Sequence, residues 1–138
     1  MNLSNVRKFD LEERLVGFAS RIIDVVEALP NTRAGNYIAA QLIRCGLPPA
    51  LMYGEAQTAE SRDDFIHKMK LLAKELKETR ACLKLILIKE MIKPEKKLEP
   101  LKKENEELVA IISKSIETAK ANIQKEKIKD NKQEENNQ

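Results

Sequence analysis

Asp64 and His67 stand three residues apart, a spacing that puts two side chains on one face of a helix. A carboxylate and an imidazole so placed resemble half of the motif with which four-helix bundles hold two iron ions. The full site needs two Glu-x-x-His pairs plus further inward glutamates, and His67 is the sole histidine of the chain. One protomer therefore cannot build it. Asp63 and Asp64 read more simply as first-turn acids that complement a helix dipole. Ser61 with Asp64 makes a capping box, and no serine, histidine and aspartate grouping suggests a triad. Gly46 and Gly54 are not spaced as a phosphate-binding loop and follow no strand. Cys45 and Cys82 belong to no C-x-x-C pair, so zinc is not expected. They read as small buried thiols in a reducing compartment. Tyr53 and Glu55 could line a pocket, although packing and a local hydrogen bond explain them equally. No catalytic residue, metal or cofactor is assigned, and the chain reads as non-enzymatic.

Charge placement is the remaining chemical signal. The total is +3, but residues 65–103 carry 12 basic and 5 acidic side chains while both flanking stretches are slightly acidic. Lys70, Lys74, Lys77 and Lys84 fall on one stripe of a predicted helix, and Lys96 and Lys97 lie in the connection after it. Clustered ammonium groups can neutralise phosphates. With three phenylalanines and two tyrosines in the chain, base-stacking platforms are scarce, so nucleic-acid contact would be directed at the backbone. A solvated lysine face, with Lys74 and Glu78 paired at i and i+4, is the alternative.

These stripes need helices to carry them. Four glycines and five prolines, beside 34% charged residues, suit amphipathic helices joined by few loops. A first helix is expected over residues 11–29, with Leu11, Leu15, Phe18, Ile22, Val25 and Leu29 on one face, Asp10 as N-cap and Pro30 as its stop. A second follows Asn31 or Thr32, presents Ala34, Tyr37, Ile38, Gln41, Leu42 and Cys45, and ends at Gly46, where a left-handed residue is often needed. After the Leu47-Pro48-Pro49 break and a short segment, a third helix runs over residues 62–92 on Phe65, Met69, Leu72, Leu76, Leu83 and Ile86. Leu71, Cys82, Leu85 and Ile88 lie off that stripe and make the helix apolar almost all round. The surplus suggests cover by a second protomer, or a more central position in its own bundle. A fourth helix carries Leu101, Leu108, Ile112, Ile116, Ala119 and Ile123. Residues 124–138 hold a single apolar side chain, and a frayed or disordered tail is expected there. The reading is an all-α, antiparallel up-down four-helix bundle over residues 1–123 followed by that tail. With no run of about 18 apolar residues and no apolar leader at the N-terminus, no membrane partner is expected and a cytoplasmic location is.

The stretch from Gln41 to Thr79 carries a resemblance. Gln41, Leu42, Arg44 and Gly46 match a Q-L-x-R-x-G helix end, and Tyr53, Glu55 and Ala56 the tail of an A-N-Y-x-E-A segment. Ala59, Glu60, Ser61, Asp64, Phe65, Ile66 and Lys68 fit an A-E-S-x-x-D-F-I-x-K run, which Lys74, Glu75, Glu78 and Thr79 continue. The chain thereby resembles the bacterial four-helix-bundle family related to ribosomal-protein-like proteins encoded by intervening sequences in large-subunit ribosomal RNA genes. It is also similar to accessory proteins of diversity-generating retroelements. It departs from the family's Ser, Gly and Asn at Pro48, Ala50 and Met52. The resemblance implies a homopentamer that meets RNA or a ribonucleoprotein. In that reading Lys70, Lys74, Lys77, Lys84, Lys96 and Lys97 face nucleic acid, and Leu71, Cys82, Leu85 and Ile88 join copies, aided by residues 47–53. The accessory proteins imply the alternative, an adaptor that docks a protein such as a reverse transcriptase.

Overall fold

The computed structural model describes residues 3–137, with side chains from Leu11 on. Five α-helices follow in order: α1 (Leu3–Ala28), α2 (Arg33–Gly46), α3 (Pro48–Gln57), α4 (Arg62–Ile88) and α5 (Glu99–Asn136), with a 3₁₀ turn at Glu95–Lys97 before the last. No strand occurs among the described residues. The four expected helices correspond to α1, α2, α4 and α5, and the short middle segment is α3.

The apolar stripes do what their spacing predicts. Leu15, Phe18 and Ile22 of α1, Leu42 of α2, Met69, Leu72, Leu76, Leu83 and Ile86 of α4, and Leu108 and Ile112 of α5 are fully buried in one cluster. Each such side chain contributes about 1.5–3 kcal/mol relative to exposure. Directions follow from printed contacts between helices. Arg62 at the start of α4 pairs with Glu126 late in α5 at 2.6 Å, whereas Leu76 meets Asn105 near the start of α5. Arg14 bridges Glu104 and Glu107, while Val25 and Ala28 share a small cavity of about 180 Å³ with Leu98 and Leu101. Thus α5 runs opposite to both α1 and α4.

Several local expectations are corrected. The first helix starts at Leu3, so Asp10 lies inside it and is not its cap. Thr32 is the α2 cap, its hydroxyl accepting the Gly35 N–H at 3.0 Å. On α2 the buried positions are Gly35, Ile38, Leu42, Cys45 and Gly46. Ala34 is exposed and Tyr37 is 66% exposed. Gly35 sits where no side chain fits, because a Cβ there would be 2.0 Å from the Pro30 carbonyl oxygen. Gly46 is not left-handed; none of the glycines has a positive φ. Its role is close approach, since a Cβ would come within 2.9 Å of Ile22 Cγ2. Leu47, at φ −88° and ψ −44°, leads straight into α3. Pro48 and Pro49 start that helix, a position where their missing N–H groups are not needed.

The left-handed residue stands instead after α4, which stops at Ile88, short of the expected Ile92. Glu90 has φ 50°. Met91 N–H donates to Ile86 O at 3.0 Å and Glu90 N–H to Leu87 O at 3.2 Å, the pair of bonds that defines a Schellman end. At the other end Ser61 caps α4 as its sequence predicts, accepting from Asp64 N–H at 3.0 Å.

The tail also differs. α5 continues as helix through Asn136, where composition predicts fraying or disorder. Lysine, glutamate and glutamine are good helix formers, so the backbone holds its turns although residues 124–137 are all exposed. Composition reads the absence of burial correctly.

Asn105 is a polar insertion in the α5 stripe. It is fully buried, and its Nδ2 donates to Leu76 O at 3.1 Å while its Oδ1 has no partner. A buried orphan acceptor costs about 1–3 kcal/mol, and a leucine has the same branched skeleton of side-chain heavy atoms. Asn105→Leu is therefore expected to raise the urea midpoint by about 1 kcal/mol or more in stability at unchanged denaturant slope. Glu90→Gly, which removes a Cβ from a left-handed position, is expected to gain up to about 1 kcal/mol, read as a higher thermal midpoint.

Candidate nucleic-acid interface

The antiparallel pairing of α4 with α5 leaves an open groove of about 640 Å³ between them. Lys70, Lys74 and Lys77, at i, i+4 and i+7, stand along its α4 wall, and Lys120 faces them from α5. Ala73, Ala81 and Ile116 give the groove an apolar lining, and Glu78 and Glu117 place two carboxylates among the four ammonium groups. The lysines are exposed. Among the described residues the ion pairs engage Arg14, Arg62, Lys68 and Lys93, and none joins Lys74 to Glu78. Four cations and two carboxylates thus line one trough, which leaves a positive excess there.

The six sequence-assigned lysines do not form one surface. Lys84 is exposed farther along α4, outside the groove. Lys96 borders a second open cleft with Lys102 and Lys103, at the start of α5. Lys97 borders the small cavity beside Arg21 and Asp24. Lys120 is the cation that sequence reading missed. Its signal was the antiparallel register, which sets residues 113–120 against residues 70–81.

Leu71, Leu85 and Ile88 are 42%, 46% and 76% exposed, and Cys82 is half-buried. Leu71, Cys82 and Leu85 share a stripe, whereas Ile88 ends the helix on a neighbouring face. The middle segment contributes Leu51, 74% exposed, but Tyr53 is buried. Uncovered apolar side chains also occur on α1 at Val16 and Ile23, and on α2 at Tyr37 and Ile43. These two helices carry two such residues each, a weaker signal than the run in α4.

The other chemical candidates resolve into structure. Asp64 accepts from Lys68 Nζ at 2.9 Å, and that bond holds its carboxyl below the usual range. The Tyr53 hydroxyl accepts from Gln57 Nε2 at 3.0 Å, while burial pushes its pKa up; Glu55 points to solvent. Burial, then Glu78, raises Glu75. Among the described residues no three His, Cys, Asp or Glu side chains converge as metal ligands. No helix among them is long and apolar enough to cross a membrane.

Core, connections and groove define the chain as a small all-helical bundle protein. It is similar to a protein of unknown function from the S23 ribosomal protein family of Bacteroides thetaiotaomicron, known from a 1.70 Å crystal structure. The TM-score is 0.70 at 27% identity, over 77% of this chain and 97% of that one. No protein-family model matches the chain, and no curated protein does. The likeness bears on the ribosomal-protein-like side of the sequence resemblance and not on the retroelement accessory proteins.

Proposed function

We propose that the protein is a non-enzymatic, self-assembling helical bundle of the cytoplasm whose α4–α5 groove binds the phosphate backbone of RNA or a ribonucleoprotein. The observation that carries this reading is the convergence of Lys70, Lys74, Lys77 and Lys120 on one groove, outside the ion pairs formed among the described residues. Exposed ammonium groups gain from releasing counterions bound to a polyphosphate, and the lack of stacking aromatics in the groove favours contact with the backbone over the bases. The likeness to an S23 ribosomal-protein-family member points the same way. Lys84, Lys96 and Lys97 lie outside that groove, toward the end of α4 and the connection after it. Assembly through Leu71, Cys82, Leu85 and Ile88, as the homopentamer that the sequence resemblance implies, would repeat the groove around a ring.

The test is a titration against a structured RNA at several salt concentrations. Charge reversal at Lys70, Lys74 and Lys77 together should weaken binding at least tenfold and flatten the salt slope by about 2–3, with helicity unchanged. Equal affinity and slope in that variant would remove the groove from the function. Replacing Leu71 and Leu85 by aspartate should lower the mass seen by light scattering to that of one chain.

A second reading is a protein adaptor without direct nucleic-acid contact. The uncovered Leu51, Leu71 and Leu85 favour it. A defined protein partner recovered after nuclease treatment, from a chain that ignores RNA at low salt, would decide for it.

A further inference from the structure

The last two turns of α1 pack beside the connection that joins α4 to α5, and a cavity of about 180 Å³ remains between them. Its apolar lining is aliphatic. Val25 of α1, Leu98 before α5 and Leu101 within it are buried, and Ile92 is half-buried. Ala28, small and exposed, stands with them at the end of α1. An apolar cavity of about 150 Å³ is large enough to hold benzene, so an aliphatic group of about four carbons fits in this one.

Three charged side chains line the same cavity: Arg21 and Asp24 from α1, and Lys97 from the connection. Arg21 is half-buried, whereas Asp24 and Lys97 are exposed. At i and i+3, Arg21 and Asp24 are neighbours on the helix surface. Among the described residues, however, no ion pair joins Asp24 to Arg21 or to Lys97. The cavity therefore combines an aliphatic floor with a forked cation, a second cation from the facing segment and one carboxylate. A guanidinium is suited to take a carboxylate through two parallel hydrogen bonds. A simple fatty carboxylate held there would set its charge against that of Asp24. An α-amino acid brings the ammonium that answers it. Its two charged groups leave one carbon, so their partners must be neighbours, as Arg21 and Asp24 are.

We propose that this cavity is a binding site for a free aliphatic α-amino acid of leucine size. The side chain enters among Val25, Leu98 and Leu101, the carboxylate meets Arg21 and Lys97, and the ammonium meets Asp24. A ligand held in this way ties α1 to the connection between α4 and α5. Binding to the folded chain alone stabilises it by mass action. The cavity shares no residue with the lysine groove between α4 and α5. The inference is independent of what that groove binds.

The experiment titrates the full chain with L-leucine and reads binding by ligand-observed NMR, with two truncated analogues beside it. Isocaproate keeps the chain and the carboxylate without the ammonium; isoamylamine keeps the chain and the ammonium without the carboxylate. Leucine is expected to bind with a Kd of about 1 mM or tighter, and each analogue at least tenfold more weakly. Asp24→Asn should bring leucine down to the level of isocaproate while leaving isocaproate no weaker. Arg21→Gln should abolish binding of both, and Ala28→Leu, which adds bulk to the lining, should exclude all three ligands. Circular dichroism checks that these variants keep their helices. No binding of leucine at twenty times the expected Kd would overturn the proposal. Isocaproate binding as tightly as leucine, or leucine affinity unchanged in Asp24→Asn, would overturn it equally, since either leaves a site for carboxylates in general.

Discussion

The burial of one stripe of α4 is the constraint from which the other features follow. Met69, Leu72, Leu76, Leu83 and Ile86 must face inward together, and α2, α3 and α5 all pack around the helix that carries them. A helix of 3.6 residues per turn has a fixed angular relation between its stripes. Once the core stripe is seated, Lys70, Lys74 and Lys77 have to flank α5, and Leu71, Cys82 and Leu85 have to fall on a separate face. The lysine surface and the apolar surface are therefore two consequences of a single rotation. A change that turned α4 by one position would displace both.

The polar groups of the interior gather at one level of that helix. Leu76 O and Thr79 lie within one turn of α4; Leu76 O accepts from Asn105 of α5, and the buried Thr79 hydroxyl donates to Glu75 O. Hydrocarbon packing tolerates small shifts in register, whereas a buried amide seeking one carbonyl does not. Asn105 gives up stability, through its orphan Oδ1, in return for fixing α5 against α4. The close approach of Gly46 to Ile22 does the corresponding work between α2 and α1, by steric contact alone.

Much of this was legible in the residues. Period and capping chemistry located four of the helices, and the Ser61 cap and the stripes of α1, α4 and α5 appear as spacing predicts. What failed were positions decided by backbone geometry and packing that periodicity does not carry. Tyr37 reads as core on α2 by its neighbours, yet the helix buries Gly35, Ile38, Leu42 and Cys45 and leaves Tyr37 exposed. Gly46 reads as a left-handed stop because it precedes two prolines, but the chain goes directly into another helix. Glu90 has no sequence signature of a left-handed residue; the Schellman bonds of its neighbours put it there. The groove was half visible, since three of its lysines share one helix and the fourth comes from a helix whose register only the fold supplies.

The length of α5 has a practical consequence. Its 38 residues span about 57 Å, against about 40 Å for the 27 of α4. Roughly the last 17 Å of α5 thus extend beyond the end of α4 as a thin rod of exposed, charged residues. A body with such a spar diffuses more slowly than a sphere of equal mass. Elution from a sizing column calibrated with compact proteins will therefore overstate how many chains travel together, and copy number has to come from scattering or sedimentation.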